Sequence, residues 1–168
     1  LLDTLAAWDE TTGGILAGKV ATERVGVFGH STGGGATMQF CLDDARCVAG
    51  LGLDAWLLPV DRRALRTPPG QPFLFINTPD WLGAENQAYG RDLLAALDVG
   101  YELTLAGTGH YDFSDIVLLS PLTAQLGISG EIDSLYSLQI QNQVVLSFFN
   151  RYLRLMEDDF LERPSPYP

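Results

Sequence analysis

The stretch that decides the fold runs from Arg24 to Leu42 and reads R-V-G-V-F-G-H-S-T-G-G-G-A-T-M-Q-F-C-L. Its first part, Arg24–Phe28, is short and apolar, which is typical of a buried strand. After a turn, Ala36 and Phe40 lie four positions apart on one face of a helix predicted over Gly33–Leu42. A strand that turns directly into a helix is the building unit of a parallel sheet.

The rest of the chain continues this alternation of apolar runs and helical patterns. Three further strands are predicted, at Val48–Leu53, Gln71–Asn77 and Tyr101–Leu105. Four further helices are predicted, at Leu1–Lys19, Glu85–Leu97, Asp112–Leu119 and Ser134–Leu155. The pattern therefore favours an α/β fold, a mostly parallel sheet flanked by helices. The last strand alternates apolar and polar residues, so we expect it near an edge.

Composition excludes several classes of function. The 168 residues are 46% hydrophobic and 18% charged, which fits one globular domain with one sizeable core. The chain has 21 acidic and 10 basic residues, which gives a formal charge of −11. Because binding to phosphate needs a basic surface, no nucleic-acid partner is expected. Two histidines and two cysteines match no metal-binding pattern, and no dinucleotide fingerprint is present, so neither a metal nor a cofactor is predicted.

The two cysteines, Cys41 and Cys47, leave two alternatives open. In the first, they close a small disulfide at the end of a helix, which would place the protein in a secreted or periplasmic compartment. In the second, both thiols are reduced and buried, as in a cytoplasmic protein. Sequence spacing does not separate these alternatives.

The residues Gly29-His30-Ser31-Thr32-Gly33 form a G-x-S-x-G pattern. The pattern is loose, and an ordinary turn can have the same sequence. Its position between an apolar strand and a helix of small residues is what a nucleophile elbow requires. Gly29 and Gly33 leave room for so sharp a turn, and the backbone N–H of Thr32 would face an oxyanion. We therefore predict Ser31 as a nucleophile.

A serine hydroxyl is a weak nucleophile unless a base activates it. Of the two histidines, His30 adjoins Ser31, and its side chain is expected to point away and to pack or hydrogen-bond locally. His110 lies on the loop after the last predicted strand, and we predict it as the base.

An acid is also needed to orient the base. Asp54 and Asp80 each follow a predicted strand, and position alone slightly favours Asp80. Asp112 is too near His110 in sequence for the usual geometry. Either of the first two gives the chain order serine, aspartate, histidine that is typical of α/β-hydrolases.

Three stretches resemble one family: Gly29–Gly34, Gly52–Pro59 and Gly109–Asp115. They are similar to the platelet-activating factor acetylhydrolase family, the plasma-type, calcium-independent phospholipase A2 branch of the α/β-hydrolases. The run L-D-A-W-x-x-P within Gly52–Pro59 is the most specific of the three. The resemblance extends from about Val25 to about Asp115, with weaker similarity near Phe148–Leu153.

The resemblance implies an α/β-hydrolase fold and a serine ester hydrolase that releases short acyl groups through an acyl-enzyme. It implies that Ser31, Asp54 and His110 are the catalytic residues, which reverses the slight preference for Asp80. A small ester or a phospholipid would be the substrate, with peripheral contact to a lipid surface. Trp56 and Leu57, just past the acid, either line an acyl pocket or belong to the core.

Two other functions fit the same residues. A cutinase-like polyesterase, a lipase or a general carboxylesterase shares the elbow, and a non-catalytic hydrolase fragment would share the fold. We expect residues 1–168 to form one domain, the C-terminal portion of a larger hydrolase, without the N-terminal strands and the second oxyanion loop. The nucleophile strand would then have an open edge, which a missing N-terminal segment or self-association would cover.

Overall fold

The computed structural model describes residues 1–120 and 122–167. Its strands form one parallel sheet in the order β1-β2-β3-β4, and these are β1 (Val25–His30), β2 (Cys47–Leu53), β3 (Phe73–Asn77) and β4 (Gly100–Thr104). The helices are α1 (Leu2–Asp9), α2 (Thr32–Asp43), α3 (Ala84–Ala96) and α4 (Ser134–Tyr152). Short 3₁₀ turns lie at Arg62–Leu65, His110–Phe113, Asp115–Leu118 and Phe160–Glu162. The predicted parallel sheet flanked by helices is confirmed.

Apolar side chains cover both faces of the sheet. On one face, α2 and α3 pack on the sheet through residues that include Met38, Phe73, Phe75, Trp81 and Leu93. On the other face, α4 packs through residues that include Leu51, Leu74, Ile140, Val144 and Phe148. β2 and β3 are consequently buried on both faces, which explains why their sequences are nearly continuous apolar runs.

The two outer strands differ in character. In β4, exposed Gly100, Glu102 and Thr104 alternate with half-buried Tyr101 and Leu103, as expected for an edge strand. β1 pairs only with β2 within the described residues, so its other edge is open there. Its Phe28 side chain is 60% exposed, although the strand is apolar.

Three predicted helices differ from the structure. The helix predicted over Ser134–Leu155 ends at Tyr152. The helix predicted over Leu1–Lys19 ends at Asp9, because Gly13 and Gly18 adopt left-handed backbone angles in the turns that follow. The helix predicted over Asp112–Leu119 is instead a pair of 3₁₀ turns. Ser114, with extended backbone angles of −140° and 162°, separates them.

The cysteines adopt the first of their two alternatives. Cys41, in α2, and Cys47, at the start of β2, form a disulfide across a sequence separation of 6. Both residues are buried, with 4% and 0% of their surfaces exposed. The bond ties the end of the helix that follows β1 to the beginning of the next strand.

Residues 1–120 and 122–167 contain neither a candidate membrane span nor a candidate metal cluster. No helix in these ranges is both long enough and apolar enough to cross a bilayer. The same ranges contain no group of three or more histidine, cysteine, aspartate or glutamate side chains arranged to hold a metal ion.

Candidate active site

Ser31 lies at the sharp turn between β1 and α2. Its backbone angles, φ 57° and ψ −120°, are strained for a residue with a side chain. Gly29 is required here, because a Cβ on it would lie 2.4 Å from the carbonyl carbon of Gly33. A Cβ on Gly34 would lie 2.5 Å from the Cβ of Ala55. These glycines let the helix approach the strand end closely enough to present the hydroxyl of Ser31.

The prediction that the sharp turn requires a glycine at position 33 is wrong. A Cβ on Gly33 itself would meet nothing within 4 Å. The crowding lies on the other side, because the backbone of Gly33 is what a side chain on Gly29 would strike. The elbow therefore requires a glycine at position 29, because a side chain there would strike the backbone of residue 33. At position 33 itself there is space for a side chain.

Hydrogen bonds hold the backbone of Ser31 against the end of β2. Its N–H donates to the carbonyl of Leu53 at 2.9 Å, and its carbonyl accepts the N–H of Trp56 at 2.8 Å. Ser31 is thus placed beside Asp54, the residue that directly follows β2. Neighbouring parallel strands end at the same edge of the sheet, so both side chains emerge there.

His110 connects Ser31 and Asp54. Its Nε2 lies 2.9 Å from Oγ of Ser31, and its Nδ1 lies 2.6 Å from Oδ2 of Asp54. Because an ionised carboxylate only accepts, Nδ1–H donates to Asp54 and Nε2 is left to accept the serine proton. The structure therefore brings the three residues together in the order needed to activate a hydroxyl.

Asp54 is fully buried, with 0% of its surface exposed. Its second oxygen, Oδ1, accepts hydrogen bonds from the N–H and the hydroxyl of Thr78, each at 2.9 Å. Both oxygens of the buried carboxylate are thereby satisfied, which a charge away from water requires. Sequence reasoning missed Thr78. The sequence signal that could have identified it is a hydroxyl residue directly after β3, the strand that pairs with β2, whose end carries Asp54.

The two rival aspartates lie elsewhere. Asp80 is exposed on the loop before α3, where its carbonyl accepts bonds from Gly83 and Gln87. The carboxylate of Asp112 accepts the backbone N–H groups of Gly109 and Gly130, each at 2.7 Å. Neither rival carboxylate is bonded to His110.

His30 contacts a residue far away in sequence, although local contacts were expected. Its Nε2–H donates to the backbone carbonyl of His110 at 2.8 Å, across 80 positions. The two imidazole rings lie 4.4 Å apart at an interplanar angle of 40°. Burial, and next the nearness of His110, lower the pKa of His30 below the usual value of 6.5.

Three further residues named from the sequence lie around this site. Thr32 is the first residue of α2, so its N–H has no carbonyl partner within the helix and lies at the positive end of the helix dipole. Leu57 is 0% exposed and belongs to the core cluster that contains Met38 and Val60. Trp56 is 42% exposed.

The fold and the arrangement of the site define the class of α/β-hydrolases. A ferulic acid esterase from Streptomyces cinnamoneus has a similar structure, with a TM-score of 0.72 and 25% sequence identity. The similarity covers 98% of this chain and 50% of the esterase. The parallel sheet and its flanking helices thus correspond to about half of that esterase.

The family follows from the sequence comparisons. The family model for platelet-activating factor acetylhydrolase, isoform II, matches residues 12–163, so the chain belongs to this family. The platelet-activating factor acetylhydrolase of Gallus gallus is 31% identical over 145 residues, and that of Canis lupus familiaris is 28% identical over 145 residues. Each alignment covers 85% of this chain but only 34% and 32% of the relatives, so the chain spans about a third of their length. The resemblance read from three motifs is confirmed.

Proposed function

We propose that Ser31, Asp54 and His110 are the catalytic residues of an ester hydrolase that releases short acyl groups through an acyl-enzyme. The observation that carries the proposal is the continuous pair of hydrogen bonds from Ser31 through His110 to Asp54, at 2.9 Å and 2.6 Å. Membership of the acetylhydrolase family and the likeness to an esterase support the same chemistry.

The first half of the reaction acylates Ser31. The hydroxyl oxygen of Ser31 attacks the ester carbonyl carbon while the hydroxyl proton passes to Nε2 of His110. The π electron pair of the carbonyl moves onto the carbonyl oxygen, which becomes the oxyanion. The tetrahedral intermediate then collapses, the carbon–oxygen bond to the alcohol breaks, and the alcohol takes the proton from His110. Asp54 stabilises the imidazolium that exists between these two steps.

The second half releases the acid. A water molecule gives a proton to His110 and attacks the acyl carbon, and collapse of this second intermediate returns the proton to Ser31 as the acid leaves. In both halves, the N–H of Thr32 at the start of α2 would donate to the oxyanion. Removing one such donor costs about 10²–10³ in rate, or roughly 3–4 kcal/mol of transition-state stabilisation.

The open edge of β1 belongs to this proposal. In this class of enzyme, the second oxyanion donor is an N–H from a loop after another strand of the sheet. Within the described residues β1 pairs on one side only, and an apolar edge with Phe28 60% exposed is an association hazard. Further strands of the hydrolase domain would pair with this edge and bring the second donor beside Thr32.

The substrate class rests on the relatives and on one side chain. The named relatives are acetylhydrolases, which favours an ester or phospholipid with a short acyl group. Trp56 is the half-exposed apolar residue two positions after Asp54, and it is our candidate for contact with the acyl group or a lipid surface. A general carboxylesterase is the second candidate, which the likeness to a ferulic acid esterase over 98% of the chain favours.

A chain-length series tests the proposal and separates the two candidates. The purified protein would be assayed with p-nitrophenyl acetate, p-nitrophenyl octanoate and methyl ferulate, with Ser31→Ala as the control. The acetylhydrolase proposal predicts the highest kcat/KM for the acetate, and activity on the ferulate above the acetate would favour the second candidate. Equal rates for the protein and for Ser31→Ala on every ester would exclude both and leave a non-catalytic hydrolase fragment.

A further inference from the structure

The residue proposed as the base lies on a loop rather than on a strand. His110 begins a 3₁₀ turn of four residues, between β4 and the long segment that leads to α4. Hydrogen bonds to Ser31 and Asp54 fix its imidazole, but they do not fix the backbone that carries it. A site of this kind needs its groups held within about 0.5 Å, so the backbone of His110 must be anchored by other contacts.

One anchor comes from the strand that carries the nucleophile. The carbonyl of His110 accepts the Nε2–H of His30 at 2.8 Å, and His30 is the last residue of β1, directly before Ser31. The ring of His30 also lies against the ring of Phe113, with centroids 6.4 Å apart. A shift of the loop that carries His110 relative to β1 would therefore break the hydrogen bond between His30 and the carbonyl of His110.

The other anchor is the buried carboxylate of Asp112. Only 4% of this residue is exposed, and one of its oxygens accepts the N–H groups of Gly109 and Gly130 at 2.7 Å each. The carbonyl of Asp112 accepts a bond at 2.9 Å from Gln141, a buried residue of α4. Asp112 thus connects the backbone just before His110 to a second loop and to a helix.

The second loop approaches the first so closely that a side chain would not fit between them. A Cβ on Gly130 would lie 2.1 Å from the carbonyl oxygen of Gly107 and 2.6 Å from the nitrogen of Gly109. The N–H of Ile132 donates to that same carbonyl at 3.0 Å. The carboxylate of Asp112 therefore bonds to two loops that are packed tightly against each other, one through Gly109 and the other through Gly130.

We propose that His30 and Asp112 are positioning residues, which hold the backbone of His110 from two sides so that its imidazole reaches Ser31 and Asp54 together. The inference rests on the proposed function, because the importance of the position follows from the reaction. Neither side chain touches the reacting atoms. Their effect acts through His110, and a misplacement of about 1 Å at such a site costs roughly 10² in rate.

The charge state of His30 fits this role. The titratable groups that act on it are His110, which lowers its pKa, and Asp54, which raises it, while burial lowers it most. A neutral His30 donates one hydrogen bond and leaves the charge of the site to His110. A cation at 4.4 Å from the ring of His110 would instead oppose the imidazolium that forms during the reaction.

A pair of matched variants at His30 tests the proposal. His30→Phe keeps an aromatic ring but removes the donor, whereas His30→Gln replaces Nε2–H by an amide N–H at similar reach. We expect kcat for p-nitrophenyl acetate to fall about 10- to 100-fold in His30→Phe with KM little changed, and His30→Gln to recover most of that loss. Equal kcat in His30→Phe and the parent protein would overturn the role of His30.

A second pair tests Asp112, with a readout that does not depend on turnover. Asp112→Asn keeps an acceptor oxygen of the same shape, and Asp112→Leu removes it. The proton on Nδ1 of His110, which gives a downfield NMR signal when bonded to Asp54, is expected to shift or broaden in Asp112→Leu and His30→Phe and to be retained in Asp112→Asn and His30→Gln. An unchanged signal in folded Asp112→Leu and His30→Phe would overturn the proposal, even if the parent protein proved inactive.

Discussion

The two ends of the parallel sheet are held together by different kinds of contact. At the carboxyl end, hydrogen bonds connect the side chains of Ser31, His110, Asp54 and Thr78. At the amino end, the disulfide Cys41–Cys47 ties α2 to β2. Close to it, the guanidinium of Arg46 pairs with Asp44 and Asp3, each at 2.6 Å.

The difference indicates how the chain tolerates strain. Ser31 and Asp54 both have positive φ angles, 57° and 40°, at the carboxyl end. Each such residue costs about 1–3 kcal/mol, and it persists only when the surrounding structure is stable enough. The covalent and ionic contacts at the amino end supply stability at a distance from the chemistry. Changes at the carboxyl end should therefore lower the reaction rate, and changes at the amino end should lower the free energy of unfolding.

The largest expected effect comes from Asp54, the proposed acid at the carboxyl end. In Asp54→Asn the amide can donate to Nδ1 of His110, which favours the wrong imidazole tautomer, so kcat should fall about 10⁴-fold while the fold is retained. Asp80→Asn is the matched control, because Asp80 is exposed and is not bonded to His110. It should change kcat by less than about threefold. Steady-state hydrolysis of p-nitrophenyl acetate measures both, and a large loss in the control alone would contradict the assignment of Asp54.

Removal of the disulfide is expected to affect stability instead. Replacing both Cys41 and Cys47 by alanine releases a loop with a sequence separation of 6, which should lower the free energy of unfolding by about 2 kcal/mol. Urea unfolding measures the change, and thiol titration of the denatured parent protein should find no free thiol. The rate per folded molecule should stay within about twofold of the parent rate. A loss of rate as large as that in Asp54→Asn would contradict the expectation that changes at the amino end affect stability and not the reaction rate.

The smallest expected effect is a pH dependence of stability at the amino end. Side-chain and backbone hydrogen bonds from Arg46 lower the pKa of Asp44 from 3.8 to about 2. The folded-state pKa lies below the unfolded value, so this contribution is complete above about pH 4 and is lost as the pH falls through about 2. The urea midpoint of Asp44→Asn should therefore fall less between pH 4 and pH 2 than that of the parent. Asp92→Asn, at an exposed position of α3, is the control and should keep the parent's dependence.

Much of the fold could be predicted from the sequence because its buried strands are simple. β2 and β3 are covered on both faces, so they appear as uninterrupted apolar runs, and β4 shows its exposed face as alternation. The sequence predicts the end of β1 too early, at Phe28, whereas Gly29 and His30 still pair with Gly52 and Leu53. The first helix is predicted to end too late, at Lys19 instead of Asp9, because apolar residues continue past the turn that follows it.

The site was less accessible to sequence reasoning. The elbow around Ser31 is local, so its residues are adjacent and the pattern can be recognised. Asp54 and Asp80 both follow parallel strands, and spacing alone could not show which of them lies 2.6 Å from His110. The contacts of His30 and Asp112 depend on a loop fold that no periodicity encodes. Family resemblance, rather than spacing, was what favoured Asp54.

If the proposed function is right, Ser31 is an activated nucleophile. The most direct measurement is the labelling of the purified protein with a fluorophosphonate, which reacts with activated serines, followed by mass mapping of the labelled peptide. We expect one label per molecule on Ser31, none in Ser31→Ala, and much slower labelling in His110→Ala. A folded protein that stays unlabelled, or a label that persists in Ser31→Ala, would contradict the proposed function.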